Sequence, residues 1–227
     1  MPIRIAVIAE APADFRHVSE LIDRKVRDHA PDWWDEEQLA HERAYCGLQP
    51  GSAFTRWAEL RGLPAGKGLL RNGGILGLET PQRFHYDYPL GRKALILCAL
   101  AELRPDAVVL IRELDQQPGE RKNSLEQARD EIPPEAMRVV LALPRAKREA
   151  WALAGWVPES EEEEATFATE REGLAFHPCE RAEELDAMQH GAPRDAKRVL
   201  AVLTAGDSER EARCWRKTPW ATLRARG

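Results

Sequence analysis

The sequence predicts an α/β fold in which a doubly wound, Rossmann-like parallel sheet is flanked by helices. Three short apolar runs, residues 3–9, 107–111 and 137–143, have the length and composition of buried strands. Helical patterns lie between them, beginning with residues 13–29, where apolar side chains recur at spacings of three and four. Such an alternation of strands and helices is typical of parallel sheets with right-handed crossover connections.

The composition is that of a globular protein with one substantial core. The chain has 227 residues, of which 43% are hydrophobic and 31% are charged. We expect an α/β core over residues 1–157 with an insertion at about 47–88, and a helical C-terminal extension over residues 158–227 packed on that core. The apolar runs are too short for a membrane span, and the first nine residues lack the features of a signal peptide, so we expect a cytoplasmic protein.

Charge and cysteine content exclude some classes of protein. A net charge of −5 argues against a protein coated in nucleic acid, although it leaves room for a local basic patch. The four cysteines are widely scattered and show no paired spacing with each other or with histidine. They therefore predict neither a zinc site nor a disulfide framework.

Weaker patterns predict the remaining elements. Within the core we expect a weak strand at 41–46, a short helix near 53–60 in an otherwise irregular insertion, and helices at 92–103, 122–131 and 146–154. In the extension, the acidic residues 158–164 form a hinge or begin a helix, and residues 193–204 form a helix.

Acidic side chains follow two of the predicted strands. Glu10 follows the first strand, and the stretch 107–115, AVVLIRELD, carries Glu113 and Asp115. Ligands of open α/β sheets collect at the carboxyl ends of the strands. Two carboxylates that are two residues apart share one face if the strand continues, and such oxygen donors suit Mg²⁺ or Mn²⁺. A solvated loop after the strand is the alternative.

Basic residues predict two further features. The tail, residues 210–227, combines six Arg and Lys side chains with Trp215 and Trp220, a mixture that can grip nucleic acid through phosphate contacts and base stacking. The alternative, which we favour, is a terminal helix packed on the core. Candidate nucleic-acid contacts elsewhere are Arg121, Lys122, Lys197 and Arg198.

The acids resemble the constellation of the Toprim fold, in which a glutamate ends the first strand and an Asp-x-Asp pair ends a later one. Primases, type II and IA topoisomerases and overcoming-lysogenization-defect nucleases share that fold. The chain is most similar to small stand-alone Toprim-like bacterial proteins of a domain-of-unknown-function group, often encoded beside an AAA-type or ABC-type ATPase. Further similarity lies in the Glu10-to-Asp14 spacing and in the stretches RELDQQPGER, REAWALAG and APRDAKRVL. Glu113 stands where the fold usually has aspartate.

The resemblance implies a metal-dependent nuclease that holds Mg²⁺ or Mn²⁺. Glu113 and Asp115 would be the principal ligands, and Glu10 would combine metal binding with proton transfer. Asp14 and Glu149 would be secondary acids. It also implies an AAA-type or ABC-type ATPase partner and a role in defence against phage or foreign DNA, and a homo-oligomer is compatible with it.

Two other functions remain open. A catalytically inactive module that keeps the fold to bind an ATPase or another protein would explain the unusual glutamate and the acidic surface. A phosphatase or receiver-type phosphoacceptor domain would need an aspartate just after the first strand, where this chain has Glu10.

Overall fold

The structure, a computed structural model, describes most of the chain: residues 2–64, 87–114, 117–133, 137–145 and 147–226. The chain divides into two compact units. The first consists of Met1–Ser19 and Val26–Leu143, and the second consists of Glu20–Lys25 and Pro144–Gly227. The division falls before the helix at Arg148–Ala154 rather than at the expected residue 157, because this helix packs into the second hydrophobic cluster.

A parallel sheet of five strands forms the centre of the first unit: β1 (Ile3–Ala9), β2 (Arg43–Cys46), β3 (Thr55–Arg56), β4 (Ala107–Ile111) and β5 (Arg138–Ala142). The order is β2-β1-β4-β5, and β3 also pairs with β1. All of these pairings are parallel. The predicted α/β fold with a parallel sheet is therefore confirmed. β4 ends at Ile111, so Glu113 lies in a loop and not on a continued strand.

Strands β2 and β3 share one edge of β1. β2 pairs with the first half of β1, and Thr55 and Arg56 of β3 pair with Ile8 and Ala9. The amide of Trp57 continues this pairing by donating to the carbonyl of Ala9 at 3.0 Å. The prediction of a helix near residues 53–60 is wrong, because residues 55–56 of this segment pair as a strand with the second half of β1. Only a 3-10 helix at Glu59–Arg61 follows.

The helices of the first unit are α1 (Pro12–Arg27, whose residues 20–25 belong to the second unit), α2 (Glu36–Glu42), α3 (Asp87–Ala99) and α4 (Pro118–Asp130). α3 begins at Asp87, five residues before the predicted start at residue 92, and ends before the predicted residue 103. Its first residues are buried polar and aromatic side chains, Asp87 and Tyr88, which carry no apolar helical signal. The expected insertion therefore ends at residue 86, and residues 65–86 of it lie outside the described residues.

One hydrophobic cluster joins the sheet to α3 and α4. It combines Ile8 of β1 and Leu110 of β4 with Leu95 of α3 and Leu125 of α4, all fully buried. Burial of one such aliphatic side chain contributes about 1.5–3 kcal/mol relative to exposure. The cluster fixes α3 and α4 on the sheet, and with them the side chains at the first turn of each helix.

The second unit is helical in the part that the structure describes: α5 (Arg148–Ala154), α6 (Glu161–Leu174), α7 (Ala196–Leu203), α8 (Ser208–Arg216) and α9 (Trp220–Arg226), with a 3-10 helix at Ala182–Glu184. Its core is built around Trp156, Leu185, Val199 and Trp215. The acidic stretch 158–164 begins α6, with Ser160 as the N-cap. The helical C-terminal extension predicted from sequence is thus present.

Asp195 holds the start of α7 in the second unit. The carboxylate is almost fully buried and accepts hydrogen bonds from Lys147 Nζ at 2.7 Å and from the amides of Gly191 and Lys197 at 2.9 and 3.2 Å. Burial by itself would raise the pKa of Asp195. The three hydrogen bonds outweigh this effect and hold the pKa below its usual value.

Asp195→Asn is expected to destabilise the chain by about 3 kcal/mol at pH 7, because it leaves the Lys147 ammonium without its buried partner charge. A lowered pKa in the folded state contributes stability that is present above the unfolded-state pKa of about 4 and is lost as the pH falls through the folded-state value. The difference in the free energy of unfolding between wild type and variant should therefore shrink below about pH 4. Urea unfolding at pH 7 and at pH 3 measures this difference.

Asp207→Asn is the matched control. Asp207 is the N-cap of α8, but it is exposed, and its side chain caps the amide of Glu209. Because asparagine caps a helix about as well as aspartate, this variant should keep nearly the stability of the wild type. An equal loss in both variants would contradict the role given to the buried pair.

Candidate functional site

The centre of the sheet contains a topological switch point. β1 and β4 are neighbours, yet the chain leaves β1 for β2 on one side and leaves β4 for β5 on the other. Such a reversal opens a crevice at the carboxyl ends of the two strands, where ligands of α/β sheets bind. Glu10 follows β1 directly, and Glu113 lies two residues beyond the end of β4.

The carboxylate of Glu10 is bound by the loop that follows β4. Its Oε1 accepts a hydrogen bond from Arg112 Nη1 at 2.9 Å and another from the backbone amide of Glu113 at 3.3 Å. The side chain of Glu10 is still 32% exposed. The carboxylate of Glu10 thus meets the backbone of Glu113, whereas Asp115, the third predicted acid, lies outside the described residues.

Behind this contact lies a fully buried carboxylate, that of Asp87 at the start of α3. Arg112 Nη2 donates to its Oδ1 at 3.0 Å, and Arg121 Nε lies 3.5 Å from its Oδ2. Arg121 also donates from Nη1 to the carbonyl oxygen of Glu113 at 2.6 Å. A buried carboxylate needs paired charge and hydrogen bonds to offset its loss of hydration. Arg112 supplies a charge and a hydrogen bond, and Arg121 supplies a second charge.

Trp57 fixes the position of Arg112 and of the end of β4. The indole Nε1 donates to the carbonyl of Ile111 at 2.7 Å, and the guanidinium carbon of Arg112 lies 5.4 Å from the centre of the Trp57 ring. The tryptophan is itself buried beside β3. β3, which the sequence did not predict, therefore positions Trp57 to support the loop that carries Glu113.

Tyr88, next to Asp87, belongs to a neighbouring network. Its hydroxyl donates to Glu131 Oε1 at 2.6 Å, and Arg92 Nε donates to the other carboxylate oxygen at 2.7 Å. Burial and the adjacent Glu131 carboxylate raise the pKa of Tyr88 to about 12. The phenol therefore stays protonated near neutral pH and acts as a structural donor.

The two predicted secondary acids are placed differently. Asp14 is buried in the first turn of α1, where its Oδ2 accepts from the amide of Ala11 at 2.8 Å, so it stabilises the turn after Glu10. Glu149 belongs to the second unit, where its carboxylate accepts from Arg148 Nη2 at 3.2 Å. Arg148 also binds Glu211. A metal-binding role for either acid stays a prediction.

The donor set at the switch point has the chemistry that Mg²⁺ prefers, namely carboxylate oxygens at a partly exposed edge. Within the described residues, no group of three or more His, Cys, Asp and Glu side chains is placed to hold a metal ion. Mg²⁺ commonly uses one or two carboxylates and completes its shell with water and substrate phosphate. Glu10 and Glu113, with Asp115 following in sequence, fit that smaller requirement.

The four candidate nucleic-acid contacts are in different environments. The Arg121 side chain is only 13% exposed and binds Asp87 and Glu113, as described above. Lys122 is half exposed and lies 3.9 Å from Glu126. In the second unit Lys197 is exposed, whereas the Arg198 guanidinium forms a bidentate pair with Glu170. Of the four, only Arg121 belongs to the network at the sheet edge.

The basic tail is engaged by acids of its own unit. Arg210 is buried, and its guanidinium binds both carboxylate oxygens of Glu163 at 2.6 and 2.8 Å. Hydrogen bonds from Arg210 hold the pKa of Glu163 below its usual value. Arg216 and Trp215 both donate to Glu20. These contacts favour the interpretation of the tail as packed helices over that of a nucleic-acid grip.

Sequence reasoning missed three residues of this site: Asp87, Arg112 and Trp57. Arg112 had a usable signal, since a charged residue that directly follows a buried strand lies at the functional edge of the sheet. Asp87 had none, because it follows a glycine-rich segment and precedes the apolar part of α3. The role of Trp57 depends on its pairing with β1, which local sequence does not encode.

Comparisons with known proteins assign no family: no protein-family model, no curated protein and no solved structure matches the chain. Among the helices of the described ranges, none has the length and apolar character needed to cross a membrane. Function is therefore inferred from the residues at the sheet edge.

Proposed function

We propose that this protein is a metal-dependent phosphodiesterase, a nuclease of Toprim type. The observation that carries the proposal is a contact between the ends of two adjacent strands at the switch point, each of which is followed by an acidic residue. Glu10, after β1, lies with its Oε1 3.3 Å from the backbone amide of Glu113, after β4. Carboxylates at the carboxyl edge of a parallel sheet are well placed to act on a substrate in the crevice.

Glu10, Glu113 and Asp115 would hold the divalent ion, Mg²⁺ or Mn²⁺. When bound, such an ion polarises a phosphate group and lowers the pKa of a water molecule. Asp14 is a secondary candidate and supports the site in any case by fixing the turn after Glu10. Glu149, in the second unit, stays a prediction from the resemblance. The longer Glu113 in place of an aspartate gives its carboxylate one more methylene group of reach from the loop.

The side chains of the chain itself would do three things in the reaction. Arg112 and Arg121 bring two positive charges to the edge, which favours binding of a phosphodiester. Before substrate binds, the hydrogen bond from Arg112 holds Glu10 in one orientation. Glu10, partly exposed, is the acid that can take or return a proton at the attacking water or the leaving oxygen.

The biological setting of the proposal comes from the Toprim resemblance. An AAA-type or ABC-type ATPase is the proposed partner, and DNA of phage or other foreign origin is the proposed substrate. The acids support the reaction class, and the resemblance supports the partner and the process.

A catalytically inactive binding module is the second candidate, and one contact favours it. Arg112 already pairs with Glu10 at 2.9 Å and with Asp87 at 3.0 Å. A guanidinium can satisfy an acid in the place of a metal, so the cluster can persist as a buried polar network without any reaction.

Calorimetric titration of the whole protein with Mn²⁺ tests the metal site. Weak binding is expected, because an ion of this kind completes its shell with substrate oxygens. Asp115→Ala should abolish the binding. Asp130→Ala, which removes an exposed acid at the end of α4, should leave it unchanged. Binding that persists in Asp115→Ala would exclude this assignment.

A further inference from the structure

We infer that Arg112 and Arg121 form a binding site for a phosphate group at the carboxyl edge of the sheet, with Asp87 as the residue that positions them. This inference deepens the proposed function by assigning the groups that hold the substrate. The binding it describes needs no metal and no reaction, so it can be tested separately from cleavage.

Three elements bring the site together. Arg112 comes from the loop after β4, Arg121 from the first turns of α4, and Asp87 from the start of α3. Both guanidinium groups contact the single carboxylate of Asp87, at 3.0 and 3.5 Å. Because α3 and α4 are fixed on the sheet by one hydrophobic cluster, the separation of the two arginines is set by the fold.

The two carboxylates that pair with Arg112 differ in their exposure. Asp87 is fully buried and supplies one negative charge to two positive ones. The second negative charge near Arg112 is Glu10, whose side chain is 32% exposed, compared with 14% for Arg112 itself. Glu10 is therefore the exchangeable partner. A phosphate oxygen can replace it on Arg112 while Asp87 keeps the guanidinium in place.

The chemistry of arginine points to phosphate as the ligand. A guanidinium presents planar N–H groups that match two oxygens of a phosphate, and it keeps its charge when buried. Arg121 is anchored through Nη1 to the carbonyl of Glu113 and through Nε toward Asp87, which orients the rest of its planar group. A purely structural network at this place would be expensive to bury compared with apolar side chains, and the switch point is where ligands bind.

The test is binding of a fluorescent single-stranded DNA oligonucleotide to the full chain in EDTA, followed by anisotropy. Arg112→Gln and Arg121→Gln should each weaken binding about tenfold. Each should also reduce the slope of log K against log salt by about 0.7, the value for one lost phosphate contact on a single strand. Arg129→Gln is the control and should bind like the wild type, because Arg129 is on the same helix but pairs with its neighbour Asp130 at the surface.

Asp87→Asn distinguishes positioning from a general structural effect. It should weaken binding in the wild-type background and have no additional effect in the Arg112→Gln/Arg121→Gln background, since its effect passes through the two arginines. If Asp87→Asn does not fold, Arg112→Lys and Arg121→Lys take its place. They keep the charge and lose the planar fork, so weakened binding supports the site, and unchanged binding overturns it.

Inorganic phosphate, titrated by calorimetry into the same proteins, separates the two sources of the ligand. If the wild type binds inorganic phosphate and Arg112→Gln does not, the ligand is a free phosphate group. If the wild type binds the oligonucleotide but not inorganic phosphate, the ligand is the phosphate of a nucleic-acid strand. Oligonucleotide and phosphate binding that are both insensitive to Arg112 and Arg121 would overturn the inference, even if the protein cleaves DNA. Arginine-dependent binding without cleavage would instead reject the nuclease and leave the inference standing.

Discussion

Glu113→Gln is expected to abolish metal-dependent cleavage of DNA while leaving the stability of the chain nearly unchanged. The two structural contacts described for this residue use its backbone: the amide donates to Glu10, and the carbonyl accepts from Arg121. Glutamine retains both contacts and nearly the same volume, and it removes only the charge that would bind a divalent ion. Loss of cleavage with an unchanged melting temperature would therefore assign the charge of Glu113 to the reaction.

The measurement is cleavage of labelled DNA with Mg²⁺ or Mn²⁺, with the proposed ATPase partner present. Glu126→Gln is the matched control, because Glu126 lies in α4 of the same unit and pairs only at 3.9 Å with Lys122. It should cleave like the wild type. A wild-type protein that remains inert with both metals, on DNA and on RNA, would exclude the nuclease and favour the inactive binding module.

Glu113→Asp adds a finer test of the same position. Aspartate is the residue that the proposed Toprim resemblance would place there, and it shortens the side chain by one methylene group. Retained or increased cleavage would mean that the site accepts either length. Lost cleavage would mean that the loop after β4, held by Arg112, Arg121 and Trp57, is built around the longer acid.

The parts of the fold that the sequence predicts are those encoded by local apolar patterns. β1 has the predicted bounds, Ile3–Ala9, because a buried parallel strand is a continuous apolar run with an abrupt end. β4 follows for the same reason, and α1 is predicted by its apolar spacings of three and four. β5 lies at the predicted place, but it is not the buried strand that its composition predicts: its side chains are half-buried or exposed, because it ends the order of the described strands and pairs there with β4 alone. Elements held by distant partners were not predicted. Residues 55–56 carry no strand pattern, and they form β3 only because the second half of β1 has a free edge there.

The same distinction applies to the candidate site. Glu10 and Glu113 were predicted because each follows a recognisable strand, and strand ends meet at one edge of a parallel sheet. Asp87 belongs to the site through the packing of α3, which brings a residue more than seventy positions after Glu10 to the same place. A buried acid whose partners are distant arginines leaves no periodic signal. Packing, and not local pattern, therefore brings Asp87 to the edge.

Gly155→Ala is expected to destabilise the chain by about 3 kcal/mol, at the upper end of the usual cost of overpacking. Gly155 is the C-cap of α5, and a Cβ atom there would lie 2.1 Å from the carbonyl oxygen of Cys214 and 2.9 Å from Leu223 Cδ2. Its carbonyl also accepts the hydroxyl of Thr218. The obstacle is a backbone atom of α8, which cannot move without shifting the helix, so the clash is not relieved by a rotamer change.

Gly173→Ala provides the control within the same unit. Gly173 lies in α6, and no heavy atom lies within 4 Å of the position that its Cβ would occupy. Alanine should therefore stabilise the chain by about 0.5–1 kcal/mol, because a glycine in a helix costs more conformational entropy on folding. In urea unfolding followed by tryptophan fluorescence, the midpoint should fall below that of the wild type for Gly155→Ala and rise above it for Gly173→Ala. A Gly155→Ala protein as stable as the wild type would mean that α5 and α8 are not in the close contact described.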